Sequence, residues 1–204
     1  MTAREVDTPY GPARVELHSA PEGRAALLLG HGAGGGFGSS DLVAATRGAC
    51  EAGVHVALVE QPYRVAGRRA PAPAAALDTA WLTVADVLAG EWFPGLPLVF
   101  GGRSSGARVA CRTAADGQAV AVVCLAFPVH PPGRPDKDRG PELAGVTVPT
   151  LVVQGERDPF GMPGTAHHRE VVVVRGTHTI NRGEAATITR TVSEWLQRVL
   201  RPLD

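Results

Sequence analysis

The strongest suggestion of chemistry in the sequence is the segment Gly102-Arg103-Ser104-Ser105-Gly106, because of its residue types and their spacing. It fits the pattern G-x-S-x-G, in which a serine stands on a sharp turn between a strand and a helix. Glycine is needed at both flanks because a Cβ there would collide with neighbouring backbone, while the serine Oγ must stay exposed. We therefore predict Ser104 as a nucleophile. Ser105 is the rival hydroxyl, but it lacks the symmetric glycine frame.

A serine hydroxyl is a weak nucleophile at neutral pH, so this chemistry also requires a general base. The chain has seven histidines. We select His178 because it follows the apolar run Val171–Val174, at a point from which a loop can return to Ser104. His167 and His168 precede that run and would lie at the wrong edge of a sheet, so we do not assign them this role.

The base in turn needs an acid that holds its imidazole in the right tautomer. Asp158 stands in a turn just past the apolar run Thr150–Val153, between the serine and the histidine in the chain. Serine, acid and histidine follow one another in this order in one class of serine hydrolases. We predict Asp158 as the acid. Glu156 is the alternative, although it lies closer to the strand.

The glycine-rich segment 30–38 could supply the remaining requirement of acyl transfer, a pair of N–H groups that bind an oxyanion. Glycine lets backbone approach a substrate closely. We expect the amides of Ala33 and Ser105 to form the pair, with Gly34 as the alternative to Ala33. His31 is expected to brace this loop rather than bind a ligand. The segment has no G-K-[ST] end and does not fit G-x-G-x-x-G, so it is not a nucleotide-binding loop.

The elements that must position these residues are apolar runs of strand length that alternate with segments of helical period. The predicted strands are 15–18, 25–29, 54–59, 96–100, 119–127, 150–153 and 171–174. The predicted helices cover about 40–53, 77–90, the segment after Ser104 to about 115, and 188–199. We expect the first two strands to pair as a hairpin across 20–23.

Continuous rather than alternating apolar strands, separated by helices, predict an α/β fold. Its sheet should be mostly parallel and doubly wound, with about seven strands and helices on both faces. Ligands bind such sheets beyond the carboxyl ends of the strands, which is where the candidate residues lie. The predicted domain is a single one, residues 1–204, because the length suits one hydrophobic core.

Composition excludes several classes of protein. Twenty basic and twenty acidic residues cancel, so we expect neither nucleic acid nor an anionic membrane as a partner. The longest apolar run, 119–127, is too short to cross a membrane. Cys50, Cys111 and Cys124 include no CxxC pair, so we expect no zinc site and no disulfide framework. Buried thiols in a reducing cytoplasm are the expected alternative.

Taken together, these motifs resemble the α/β-hydrolase superfamily, in its dienelactone-hydrolase-like branch. In particular, they resemble a group of small hydrolase-like proteins that includes the hydrolase-like subunit of the NSL histone acetyltransferase complex. The resemblance covers about residues 25 to 200 and rests on the segments 29–34, 61–71, 101–108, 127–135 and 155–161. It implies a catalytic triad of Ser104, Asp158 and His178, with no metal or cofactor. This chain has Ser105 and Ala107 where the group is expected to have methionine and glycine.

Two further loops are expected to shape the site, one after the strand 54–59 and one after the strand 119–127. Gly34, Tyr63, Arg103 and His130 are the predicted substrate-binding residues. Arginine forms bidentate contacts with carboxylates, so a substrate carboxylate could be bound by Arg68, Arg69, Arg103 or Arg134. Surface solvation is the alternative for each, and Arg103 is preferred because it lies inside the G-x-S-x-G segment. No length is left for a cap domain, so the site should be open and suit a small substrate.

Three functional hypotheses follow. The first is a metal-free serine hydrolase that cleaves a small carboxylic ester or thioester through an acyl-enzyme. The second is a catalytically silent, hydrolase-like module that binds other proteins. An intact set of serine, aspartate and histidine favours the first hypothesis. In a protein that did not use these residues, random mutation would replace one of them without penalty. The third is another chemistry in the same pocket, such as acyl transfer or peroxidation. Substrate identity and oligomeric state do not follow from the sequence.

Overall fold

A computed structural model of the chain describes residues 2–201, which form one eight-stranded sheet with helices on both faces. The strands are β1 (Thr2–Val6), β2 (Ala13–His18), β3 (Ala25–Gly30), β4 (Val54–Glu60), β5 (Leu98–Arg103), β6 (Ala121–Leu125), β7 (Thr150–Gly155) and β8 (Arg169–Val174). Their order in the sheet is β1-β2-β4-β3-β5-β6-β7-β8. The strands from β3 to β8 run parallel, whereas β1 and β2 form an antiparallel margin. The predicted α/β fold with a mostly parallel sheet is confirmed.

The connections between the strands carry the helices. They are α1 (Ser40–Glu51), α2 (Pro62–Val65), α3 (Ala74–Val87), α4 (Ser105–Thr113), α5 (Gly140–Ala144) and α6 (Ala185–Val199). A π-helical turn, Leu88–Trp92, extends α3, and a 3-10 turn, Arg182–Glu184, precedes α6. None of the helices in the described part of the chain has the length and apolar composition that a membrane crossing would require. Residues 2–201 contain no additional cap domain.

Two apolar layers hold the helices to the sheet. Leu27 and Leu29 of β3 face the layer that contains α1 and α6, whereas Leu28 faces the layer that contains α3 and α4. Because both faces of β3 are buried, its sequence is continuously apolar rather than alternating. The sheet is therefore a rigid support whose loops at the carboxyl ends are free to carry polar residues.

The margin of the sheet differs from the sequence prediction. The predicted hairpin across 20–23 is wrong, because β2 pairs with β4 and not with β3. The two parallel partners of β3 are β4 and β5, so neither edge of β3 is available to β2. The strand β1 was not predicted, because its sequence contains charged residues and no continuous apolar run.

Candidate active site

Ser104 stands on the turn that joins β5 to α4. Its backbone adopts φ 52° and ψ −107°, a conformation that residues other than glycine rarely adopt. The Ser104 amide donates a hydrogen bond of 2.9 Å to the carbonyl of Leu125, which fastens the turn to the adjacent strand β6. The serine is thereby presented beyond the carboxyl end of its strand, as the G-x-S-x-G pattern predicts.

The two glycines of this pattern permit a very close backbone approach. A Cβ on Gly106 would lie 2.3 Å from the carbonyl oxygen of Gly30. A Cβ on Gly102 would lie 2.7 Å from the same oxygen. Real Cβ atoms do not come this near to backbone atoms. Both glycines are therefore needed for α4 to begin in direct contact with the end of β3.

His178 connects the serine to Asp158. Its Nε2 lies 2.8 Å from Ser104 Oγ, and its Nδ1 lies 2.9 Å from Asp158 Oδ2. A carboxylate accepts only, so Nδ1 carries the proton and Nε2 is left to accept from the serine hydroxyl. This is the tautomer that a general base requires. The ring of Phe160 packs against the imidazole with a centroid distance of 4.0 Å.

The side chain of Asp158 is buried, and each of its carboxylate oxygens is hydrogen bonded. Oδ1 accepts from the amide of Phe160 at 2.8 Å, while Oδ2 accepts from the side-chain amide of Gln154 at 2.8 Å and from His178. These donors compensate for the removal of the carboxylate from water. The acid is therefore fixed in both position and orientation.

Gln154 is a positioning residue that the sequence analysis missed. It lies in β7 and is fully buried, and its side-chain amide also lies 3.1 Å from the carbonyl of Phe127 and 3.0 Å from that of Gly161. The available signal was a polar side chain inside a strand whose other residues are all buried. Since buried polar groups need partners, such a residue indicates a polar group nearby, here Asp158.

Arg103 holds the loop that carries His178. Its Nη2 donates to the carbonyl of His178 at 3.1 Å, and its Nε donates to Asp41 Oδ2 at 2.9 Å. Asp41 is buried in the first turn of α1. The guanidinium is thus paired within the protein, which differs from the substrate-binding role expected from the sequence. The physical reason is that its cation is already neutralised by a buried carboxylate.

Other candidates from the sequence also have different surroundings. Glu156, the alternative acid, is exposed, with its carboxylate 3.5 Å from Arg157. Tyr63 is buried and donates its hydroxyl to the carbonyl of Ala33 at 3.0 Å, so it supports the glycine-rich loop. The Nδ1 of His130 lies 2.9 Å from the carbonyl oxygen of Pro131.

A cavity of about 320 Å³ lies beside the serine. Both apolar and cationic side chains line this cavity. The lining residues include Ala33, Ser104, Ser105, Arg108, Arg139 and Phe160. Gly34, Tyr63, Arg103 and His130 are not among its lining residues in the described part of the chain. Tyr63 and Arg68 line a second cavity of about 340 Å³, which shares Ala72 and Leu77 with the first.

The amides of Ala33 and Ser105 are available at this cavity. Neither amide donates to another backbone group in the loops and turns of residues 2–201. Ser105 is the first residue of α4, where amides have no acceptor within the helix. A developing oxyanion requires two such donors near the nucleophile, and Ala33 and Ser105 both line the cavity with Ser104. Their predicted role therefore has a physical basis in the fold.

His31 supports the glycine-rich loop through hydrogen bonds at both of its ring nitrogens. Its Nδ1 donates to the carbonyl of Gly32 at 2.7 Å, and its Nε2 accepts from the amide of Gln61 at 3.1 Å. Burial lowers the pKa of His31 below its ordinary value of 6.5, although the hydrogen bond to Gly32 acts in the opposite direction. The ring is therefore neutral, because a protonated Nε2 could not accept from Gln61.

We expect the free energy of unfolding to decrease as the pH falls below about 6.5, partly because of His31. The unfolded chain then binds more protons than the folded chain, in which the pKa of His31 is lowered, and protons favour the state that binds more of them. The loss attributable to this residue is at most about 1.4 kcal/mol per pH unit. Urea unfolding between about pH 5 and 7.5 would measure it. A His31→Asn variant should show a smaller pH slope, and equal slopes would contradict the assignment.

Residues 23–196 match the family described as alpha/beta hydrolase domain. Among solved structures, XC6422 from Xanthomonas campestris, an a/b serine hydrolase without lid, has a TM-score of 0.78 at 19% identity, covering 100% of this chain and 96% of that one. Est1E from Butyrivibrio proteoclasticus has a TM-score of 0.80 at 17% identity, with 98% and 99% covered. Dienelactone hydrolase from Anabaena variabilis has a TM-score of 0.75 at 20% identity, with 98% of both chains covered. No curated protein matches.

Proposed function

The chain belongs to the alpha/beta hydrolase domain family, and on that basis we propose that it is a serine hydrolase of small carboxylic esters or thioesters. The observation that carries this proposal is the hydrogen-bonded series Ser104, His178 and Asp158, with contacts of 2.8 Å and 2.9 Å. A serine beside a base that a buried carboxylate orients is the arrangement that activates a hydroxyl for acyl transfer.

In the first half of the reaction, Ser104 Oγ attacks the carbonyl carbon of the substrate. The hydroxyl proton passes to His178 Nε2, and Asp158 stabilises the imidazolium that forms. The amides of Ala33 and Ser105 bind the negative charge that develops on the carbonyl oxygen. The C–O or C–S bond then breaks, and the alcohol or thiol leaves with the proton from Nε2. The product of this half is an ester between the acyl group and Ser104.

In the second half, a water molecule takes the place of the leaving group. His178 Nε2 accepts a proton from this water as its oxygen attacks the acyl carbon, and the same two amides bind the oxyanion. The bond from that carbon to Ser104 Oγ breaks, and Oγ recovers the proton from Nε2. The carboxylic acid is released. The open cavity allows water to enter without the movement of a cap.

Two finer assignments belong to the same proposal. Within the family, we place the chain in the small hydrolase-like group that includes the NSL-complex subunit, on the strength of the segments 61–71 and 127–135. We place the protein in the cytoplasm, because its three cysteines are free thiols and a reducing compartment keeps thiols in that state.

Labelling with a fluorophosphonate tests the proposal directly. An activated serine displaces fluoride from this probe and keeps the phosphonyl group. We expect one adduct per folded protein, mapped to Ser104 by peptide mass spectrometry, and none after denaturation in urea. An adduct on Ser105 would contradict the choice of nucleophile. No adduct on the folded protein would contradict catalysis and favour a protein-binding module.

A further inference from the structure

Three arginines line the cavity beside Ser104. Arg108 and Arg112 lie one turn apart on α4, and Arg139 lies in the loop directly before α5. Their acidic neighbours are Asp78 on α3 and Glu142 on α5. The cluster therefore joins α3, α4 and α5 at the wall of the cavity.

The two arginines of α4 are fully paired with these acids. The Nε of Arg108 donates to Glu142 Oε2 at 2.8 Å, and a second contact joins its Nη2 to the other oxygen. Arg112 donates to both oxygens of Asp78, from Nε to Oδ2 at 2.8 Å and from Nη2 to Oδ1 at 2.6 Å, and its Nη1 lies 3.3 Å from Glu142 Oε2. Each carboxylate therefore already accepts from at least one guanidinium at both of its oxygens.

Arg139 is the arginine of this cluster whose charge is not compensated. Within residues 2–201, its guanidinium makes no hydrogen bond and no ion pair, since both nearby acids are taken by α4. This cluster thus holds three cations, all of which line the cavity, and two anions, which do not. Burial lowers the pKa of Arg139, and the neighbouring charge of Arg108 lowers it further, against the attraction of Glu142. Arginine nevertheless stays charged in proteins.

The backbone of Arg139 is fixed although its side chain has no partner. Its amide donates to the carbonyl of Val129 at 2.7 Å, and its carbonyl accepts from the amide of Glu142 at 3.1 Å. The side chain is half-buried at the cavity wall. A partly desolvated cation beside a second cation is unfavourable unless an anion joins it. The site therefore lacks one negative charge.

We propose that Arg139 is the anion subsite of this cavity, so that the hydrolase prefers esters or thioesters that also carry a free carboxylate. This inference rests on the proposed function and names its substrate class. A guanidinium offers two parallel N–H groups that match the two oxygens of a carboxylate. One uncompensated charge fits one carboxylate, and a volume of about 320 Å³ fits a short half-ester.

The arginines that the sequence analysis considered for this role are less suited to it. Arg103 is paired with Asp41. Arg134 lies on the same loop as Arg139, but its side chain is 54% exposed and 3.7 Å from Asp136, and it does not line the cavity. Arg134 is therefore a matched control for Arg139, because it shares the loop and the charge without facing the serine.

Paired substrates test the proposal at constant chemistry. We would compare kcat/KM for the 4-nitrophenyl half-ester of glutaric acid with that for neutral 4-nitrophenyl hexanoate, which places the carboxylate in the acyl part. The pair 3-carboxyphenyl butyrate and 3-acetylphenyl butyrate places it in the leaving group. Wild type should prefer the charged member of at least one pair. In Arg139→Gln, that preference should fall about 10- to 100-fold, the value of a charge-assisted pair.

The controls separate the subsite from the catalytic centre. Arg134→Gln should keep the wild-type preference, and in Arg139→Gln the loss in kcat/KM should be larger for each charged ester than for its neutral partner. A preference that survives Arg139→Gln, or its absence in wild type, would overturn the subsite while leaving the hydrolase intact. If no ester is cleaved and no fluorophosphonate reacts, the proposed function fails. Calorimetry with glutarate then still tests the subsite, which requires binding that Arg139→Gln weakens and Arg134→Gln does not.

Discussion

Replacing Ser104 by alanine should lower kcat/KM for ester hydrolysis by about 10⁴-fold or more, because the variant lacks the hydroxyl that forms the acyl-enzyme in the proposed reaction. The hydroxyl lies 2.8 Å from His178 Nε2, and its removal leaves the base without a proton to accept from the nucleophile. Alanine keeps the Cβ and adopts the same backbone, so we expect the fold and its stability to be retained. Circular dichroism and the melting temperature would verify this for the purified variant.

The comparison that identifies the nucleophile is Ser105→Ala. This change removes the rival hydroxyl but keeps the amide that we assign to the oxyanion, so the loss in kcat/KM should stay within about tenfold. The kcat/KM values of the two variants should thus differ by about three orders of magnitude. Equal losses would mean that the hydroxyl of Ser105 takes part in the reaction. A larger loss in kcat/KM for Ser105→Ala than for Ser104→Ala would identify Ser105 as the nucleophile.

Replacing Gly106 by alanine should cost more than about 4 kcal/mol of unfolding free energy, enough to prevent folding of a domain of ordinary stability. The added Cβ would lie 2.3 Å from the oxygen and 2.5 Å from the carbon of the Gly30 carbonyl. Both atoms belong to backbone at the centre of the sheet, where β3 is held by hydrogen bonds to β4 and β5. Neither atom can move aside, so α4 would have to separate from the sheet.

Soluble yield, circular dichroism and urea unfolding measure this effect. Gly164→Ala is the matched control, because nothing lies within 4 Å of a Cβ at that position. Its unfolding free energy should differ from that of wild type by less than about 0.5 kcal/mol. A Gly106→Ala protein as stable as wild type would show that α4 can shift away from β3, and the close contact would then not be a requirement of the fold.

The interior of the sheet could be predicted from the sequence because burial on both faces leaves a direct signal. Strands such as β3 and β6 are continuous apolar runs, which is the pattern typical of strands in a parallel sheet covered on both faces. The margin could not be predicted in the same way. The turn at 20–23 has the local chemistry of a hairpin, but the order of strands depends on β4, whose sequence lies much farther along the chain. Local signals do not contain that information.

The candidate site shows the same division. Ser104, Asp158 and His178 each follow a strand, so the rule that parallel strands end at one edge was enough to bring them together. Their catalytic roles stay predictions until the variants are measured. Gln154 and Arg139 were missed because their roles depend on which side chains lie next to them in the folded protein. The first supports a buried carboxylate from within a strand, and the second is left without an acid because α4 uses both. Spacing along the chain reveals neither relation.

The direct contact between Gly106 and Gly30 has an electrostatic consequence. Since no side chain separates them, the first turn of α4 is held against the end of β3 and beside Ser104. The aligned peptide dipoles of a helix are equivalent to about half a positive charge at its N-terminus. That fractional charge is oriented before any substrate arrives and needs no rearrangement when negative charge develops nearby. The contact that makes the motif intolerant of a methyl group thus gives the site a permanent field favourable to an oxyanion.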